Sequence, residues 1–231
     1  MLQICLAKCD CLRNQETYAW YLDNFRDRFT QDRIRKIEKI KSERGRAQSL
    51  GAGIMETYVL GKLGYDARII RTGVSEHGKP IYYDEKSEKE LYLNLSHSET
   101  HIAAICGEFP VGIDVEQIRE TRLAVARRFF TEREQQLLVG IQSEEERAAL
   151  FFRIWTLKEA FLKTTGEGLG RELGSFDVSE AVHGQKAEVE SVELRGWQMD
   201  HCTLAIGGKG NFPETIPIKM LDLADRTLYN S

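Results

Sequence analysis

Apolar and polar positions fall in blocks along this chain, and the period changes from block to block. Leu2 to Cys9 alternates loosely and predicts an opening strand. Glu16 to Phe29 places Tyr18, Trp20, Tyr21, Leu22, Phe25 and Phe29 at helical spacings. Thr30 opens a short basic helix with Ile34, Ile37 and Ile40 along it. A longer helix is predicted from about Glu43 to Leu63, with Gly64 as its C-cap. Ala67 to Arg71 reads as a short strand and Gly73 to Pro80 as a loop. Leu91 to Leu95 and His101 to Cys106 read as strands joined by Ser96 to Thr100. After a turn at Glu108-Phe109-Pro110, Val111 to Ile118 reads as another strand.

Arg122 to Phe130 is amphipathic and helical. Thr131 and Glu134 have capping-box spacing, which starts a helix running to about Val139. Ser143 and Glu146 repeat that spacing and open the longest helix, which continues through Phe151 to glycines ending at Gly170. On a helical wheel Leu150, Ile154, Leu157 and Phe161 share one arc, with Phe151, Trp155 and Leu162 beside it. Lys158 falls inside that apolar arc, and Glu159 and Lys163 lie on its edge. Weaker strands are expected at Ser175–Val178, Ala187–Leu194, Gly196–Met199 and Cys202–Ile206, followed by an extended tail from about Asn211.

Both halves share a coarse plan: strand, helices, a long helix ended by glycine, then strands. Short links between several strands point to antiparallel pairing and an α+β class. The expected domains are 1–109 and 110–231, with the tail counted in the second.

At 231 residues the chain can bury a substantial core. Its net charge of −4 argues against a general nucleic-acid binder. Charge is uneven, however: Asn24 to Arg46 holds nine Lys/Arg against four Asp/Glu, a local +5. Such a patch suits an anion or a solvated helix face. The N-terminus lacks a basic n-region, and no run of about 18 apolar residues is present. With an odd count of five cysteines, this leads us to expect reduced thiols and a cytoplasmic protein. Cys9-Asp10-Cys11 has no partner pair at metal-ligand spacing.

Candidate chemistry starts at Gly112-Ile113-Asp114-Val115-Glu116. On a strand, Asp114 and Glu116 share one face, where two carboxylates repel unless a cation joins them. Oxygen donors of this kind suit Mg²⁺; the alternative is the polar face of an edge strand. Glu159 can add a third carboxylate or pair along the helix with Lys163. Lys158 can reach a phosphate or extend its stem over apolar surface towards water. Ser96 and His97, in Asn94-Leu95-Ser96-His97-Ser98, suit phosphate contact or an ordinary turn. Gly78-Lys79-Pro80 lets backbone approach a base or ribose. Asp114, Glu116 and Glu159 with Lys158 and Lys163 are the mixture that a metal-bridged pyrophosphate needs.

Their order and spacing resemble the Sfp-type 4′-phosphopantetheinyl transferases. The family's Gly-x-Asp-x-Glu stands as Gly112 to Glu116, and its Trp-x-x-Lys-Glu-x-x-x-Lys as Trp155 to Lys163. Gly-Lys-Pro and Asn-x-Ser-His-Ser precede them in family order. The resemblance runs from about Arg33 to Gly170 and fades in the last sixty or so residues.

The resemblance implies two similar halves related by a pseudo-twofold, each a small sheet packed with a long helix, in a monomer. It implies transfer of 4′-phosphopantetheine from coenzyme A (CoA) to a serine of an acyl or peptidyl carrier protein. Asp114, Glu116 and Glu159 would hold Mg²⁺, or Mn²⁺ in its place. Lys158 and Lys163 would hold phosphates, and Glu159, Lys163 and His97 would form the catalytic set. Ser96 and His97 would meet phosphate, Gly78, Lys79 and Pro80 the adenine, and Arg33, Lys36 and Ser49 the 3′-phosphate. Where members often carry a basic residue before that hydroxyl, this chain has Gln48, with Arg44 and Arg46 nearby. The basic, partly apolar segment Arg119 to Phe130 is the expected docking strip for an acidic carrier domain. A CoA- or nucleotide-binding module without transferase activity is the alternative; it would not require the full set of acids.

Overall fold

The computed structural model describes residues 2–183 and 186–226. They fall into two compact units. The residues up to Ser75, Pro80–Glu108 and the residues from Glu214 form the first; Glu76–Lys79 and Phe109–Pro213 form the second. Each unit sets one long helix on a mainly antiparallel sheet, so the class is α+β.

The first unit runs β1 (Gln3–Lys8), α1 (Gln15–Phe25), α2 (Gln31–Lys39), α3 (Glu43–Lys62), β2 (Ile70–Val74), β3 (Pro80–Asp84), β4 (Lys89–His97) and β5 (His101–Gly107). β5 is buried along its whole length between β1 and β4. Leu50, Ile54, Met55, Val59 and Leu60 of α3 share its core with Ile102 and Ala104. Thr30 and Ser42 cap α2 and α3 by accepting the backbone N–H three residues on, at Arg33 and Gly45. Gly64, at φ +83°, takes the left-handed position just past α3.

Two elements differ from the sequence reading. Asp66 accepts from Arg68 N, so 67–69 winds into a 3₁₀ turn and the strand starts only at Ile70. β3 lies in a stretch where no strand was expected. Tyr82 and Asp84 are its buried residues, too short an alternation to stand out.

The second unit runs β6 (Val111–Gln117), α4 (Leu123–Phe129), α5 (Glu132–Val139), α6 (Glu144–Thr165), β7 (Ala187–Val189), β8 (Val192–Met199) and β9 (Cys202–Gly208), with sheet order β6-β9-β8-β7. Ile154, Leu157, Ala160 and Phe161 bury the inner face of α6 among Leu194 and Ala205. The expected strand Ser175–Val178 does not form, because its backbone groups are taken by side chains: Phe176 O accepts from Lys158 and Val178 N donates to Glu134. The expected strand Ala187–Leu194 is interrupted by a hairpin turn in which Glu190 and Ser191 both have positive φ.

The last strand, β10 (Ile218–Leu221), corrects the expected domain limits. It pairs in parallel with β1, Ile4 opposite Ile218, and belongs to the first unit. Leu221 and Leu223 are buried in that unit's core, which ties the tail there.

Candidate functional site

The acidic motif is placed by close contact between a strand and a helix. β6 pairs antiparallel with β9, Gly112 opposite Gly207. A Cβ on Gly112 would stand 2.5 Å from Ala160 O and Thr164 N, and one on Gly207 2.4 Å from Thr164 Oγ1. The two glycines therefore let α6 lie directly on the sheet. Residues two and four places after Gly112 share its face, so Asp114 and Glu116 are turned towards α6.

Lys163, on the last turns of α6, reaches Asp114 Oδ1 at 2.6 Å. Arg119 Nη2 meets Glu116 Oε2 at 3.2 Å. Burial pushes the Glu116 carboxyl up to about 7, and the charges of Asp114 and Glu159 add to this against Arg119 and Lys163. Burial, then Asp114, likewise raises Glu159, while Lys163 lowers it. Three carboxylates thus feel one another's field, and one lysine offsets part of it. Such a donor set fits a hard divalent cation. Among the described residues, no three His, Cys, Asp or Glu side chains already converge as a metal-binding group.

Lys158 is corrected. It does not face this acidic patch as a phosphate ligand; it is fully buried. Its ammonium meets Glu134 Oε2 at 2.9 Å, Leu173 O at 2.7 Å and Phe176 O at 2.6 Å. These partners match its three N–H donors. The wheel position was sound, since Lys158 sits in the apolar arc, but its charge is answered there by Glu134. That residue is the one the sequence reading missed. Glu134 is fully buried and also accepts from Thr131 N at 2.9 Å and Val178 N at 2.8 Å. The capping-box spacing accounted for the first bond and hid the others.

In the first unit the expected phosphate residues separate into two groups. Arg33 is turned inward, its Nε and Nη2 on Glu56 Oε2 at 3.1 and 2.8 Å, with both side chains buried. This corrects its expected place as a 3′-phosphate ligand; Lys36, one turn on, is exposed. Gln48, the neighbour of Ser49, meets the strand-end motif: its Nε2 donates to Ser98 O at 2.7 Å. The hydroxyls of Ser49 and Ser98 are both buried and have no hydrogen-bond partner among the described residues. Buried hydroxyls of this kind suit an anion that accepts from them. Ser96 is buried and His97 exposed. Gln48 therefore bridges α3 to this turn.

The segment 76–79 belongs to the second unit. Gly78 has φ +79° and is exposed, and Lys79 Nζ donates to Thr164 O at 3.1 Å. Pro80 opens β3 in the first unit.

On α4 and its approach, Arg119, Arg122, Arg127 and Arg128 are exposed, and Leu123 is 42% exposed. A groove of about 270 Å³ beside them is lined by Leu123, Ala126, Leu138 and Val139, with Arg127 and Arg147 also lining it. No described helix is long and apolar enough to cross a membrane.

Residues 110–209 match the model of the 4′-phosphopantetheinyl transferase superfamily. The chain is 37% identical over 56% of its length to 4′-phosphopantetheinyl transferase HetI of Nostoc sp. (strain PCC 7120), covering 55% of that protein. It is 40% identical over 47% of its length to 4′-phosphopantetheinyl transferase psf-1 of Bacillus pumilus, covering 45% of it. It is 31% identical over 59% of its length to 4′-phosphopantetheinyl transferase Sfp of Bacillus subtilis, covering 59% of it. The match therefore spans about half the length of these curated relatives.

Proposed function

We propose, from the match of residues 110–209 to the 4′-phosphopantetheinyl transferase superfamily model, that this chain transfers 4′-phosphopantetheine from CoA to a serine of an apo acyl or peptidyl carrier protein. The observation that carries the proposal is the β6–α6 contact, which sets Asp114, Glu116 and Glu159 in one electrostatic group with Lys163. In this reading Asp114, Glu116 and Glu159 hold Mg²⁺ or Mn²⁺. A bound divalent ion would offset the charge of the CoA pyrophosphate.

The serine oxygen attacks the β-phosphorus, the P–O bond to the nucleotide breaks, and 3′,5′-ADP leaves. Lys163, whose ammonium is already placed beside Asp114, supports the departing phosphate. Glu159 takes the serine proton directly or through a water. Ser96 and His97 hold phosphate, with Ser49 and Lys36 at the 3′-phosphate and Gly78, Lys79 and Pro80 at the adenine. The acidic carrier docks on Arg119 to Phe130, where Arg127 and Arg147 line the Leu123–Val139 groove. The enzyme works as a cytoplasmic monomer.

The test is incubation with CoA, Mg²⁺ and several apo-carriers, read by intact mass. Addition of one phosphopantetheine group that chelator abolishes is the expected result. No addition to any carrier refutes the reading, and CoA binding without addition would leave the binding module in its place.

A further inference from the structure

The side chain of Lys79 ties the segment 76–79 to the C-terminal end of α6. Lys79 Nζ donates to Thr164 O at 3.1 Å and to Val111 O at 3.4 Å. Thr164 O lies in the last turn of α6, where carbonyls have no N–H from a following turn. Gly166, at φ +79°, ends the helix and gives its own N–H to Leu162 O. An ammonium at this end satisfies an open carbonyl and meets the negative end of the helix dipole.

The stem of Lys79 packs on the same spot. A Cβ on Gly166 would stand 3.3 Å from Lys79 Cδ, and one on Gly168 3.5 Å from His77 O. Lys79 Cδ and His77 O thus lie in contact range of the glycine turn that ends the helix, where Gly166 and Gly168 both have positive φ. Gly78, at φ +79°, gives the segment backbone freedom that something must restrict if it is to present one shape.

Resting on the CoA reading, we propose that Lys79 is a positioning residue for CoA. Its ammonium does not read the nucleotide. It fixes the 76–79 backbone on the end of the helix that carries Glu159 and Lys163, so that the adenine meets a loop already ordered. Ordering the loop before the ligand arrives lowers the entropic cost of binding.

The test uses the whole chain with Lys79→Met, which keeps the stem, and Lys79→Arg, which keeps the cation. Calorimetry with CoA, hydrogen exchange of the 75–79 amides and the thermal midpoint are measured on each. Lys79→Met is expected to weaken CoA binding about tenfold, the usual size for a lost charged hydrogen bond. Exchange at 75–79 should accelerate, with the midpoint moving by no more than about 2 °C. Lys79→Arg should restore most of the affinity and protection. Unchanged CoA affinity in Lys79→Met overturns the proposal. So does weaker affinity with unchanged exchange, which would make Lys79 a direct ligand. A wild-type protein that binds no CoA refutes the transferase reading instead, and the exchange comparison then decides whether Lys79 orders the loop.

Discussion

Removing Glu134 should cost this protein more stability than most single changes can. Its carboxylate is fully buried and is held by three donors from three parts of the second unit: Thr131 N, Val178 N and Lys158 Nζ. In Glu134→Ala the ammonium of Lys158 keeps the carbonyls of Leu173 and Phe176 but loses its counter-charge. Breaking a buried pair from one side costs roughly 3–5 kcal/mol, and the two orphaned N–H groups act in the same direction.

Lys158→Met should cost less, because the remaining carboxyl can take up a proton. Burial already raises Glu134, and Lys158 is the largest opposing influence. Without Lys158 the folded-state pKa rises further above the unfolded value. The carboxyl is then tolerated below the unfolded pKa, and stability is lost as pH climbs through the folded one. The penalty of Lys158→Met should therefore be larger at pH 8 than at pH 5. The double change Glu134→Gln with Lys158→Met should be milder than the sum of Glu134→Gln alone and Lys158→Met alone, since no unpaired charge remains. Urea unfolding followed by circular dichroism, at both pH values, supplies the four corners of the cycle. Additive costs, or Lys158→Met as stable as wild type with CoA affinity lost, would refute the core role and return Lys158 to the phosphates.

Three further outcomes follow from the same geometry. Asp114→Ala and Glu159→Ala should each abolish phosphopantetheine transfer in the mass assay while leaving the circular dichroism spectrum intact; near-normal rates in both would remove the metal assignment. Gly112→Ala introduces a Cβ 2.5 Å from backbone atoms of α6, so it should destabilise by about 1–3 kcal/mol in urea and lower turnover with it. Arg122→Glu, on the exposed start of α4, should raise KM for carrier and leave the CoA dissociation constant alone. Equal loss for both substrates would sink docking on this strip.

How far the sequence could be read depended on the distance over which each feature is decided. α3, α5 and α6 were legible because caps and apolar spacing lie within one helix. Thr131 and Ser143 start α5 and α6 where the capping spacing placed them, and Gly166 ends α6. β6 was legible too, and its two acids share a face by period alone. β3 was not, since Tyr82 and Asp84 give only two buried positions. β10 was not, because its partner is β1, some two hundred residues away, and nothing near Ile218 names that partner.

The site shows the same division. Gly112 reads as a motif residue, but its physical reason is the backbone of α6 pressing on β6, visible only once Ala160 and Thr164 are beside it. Lys158 is the sharper case. A lysine inside an apolar arc admits two explanations: a ligand outside the core, or a counter-charge inside it. Choosing between them requires knowing where Glu134 points. Its spacing from Thr131 gives it a helix-capping task, and that task is real. A carboxylate has two oxygens, however, and capping engages one; the other takes Val178 N. A capping-box acid on the buried side of its helix therefore has acceptor capacity to spare. A stray lysine on a neighbouring helix is what such an acid should be matched against before a ligand is invoked.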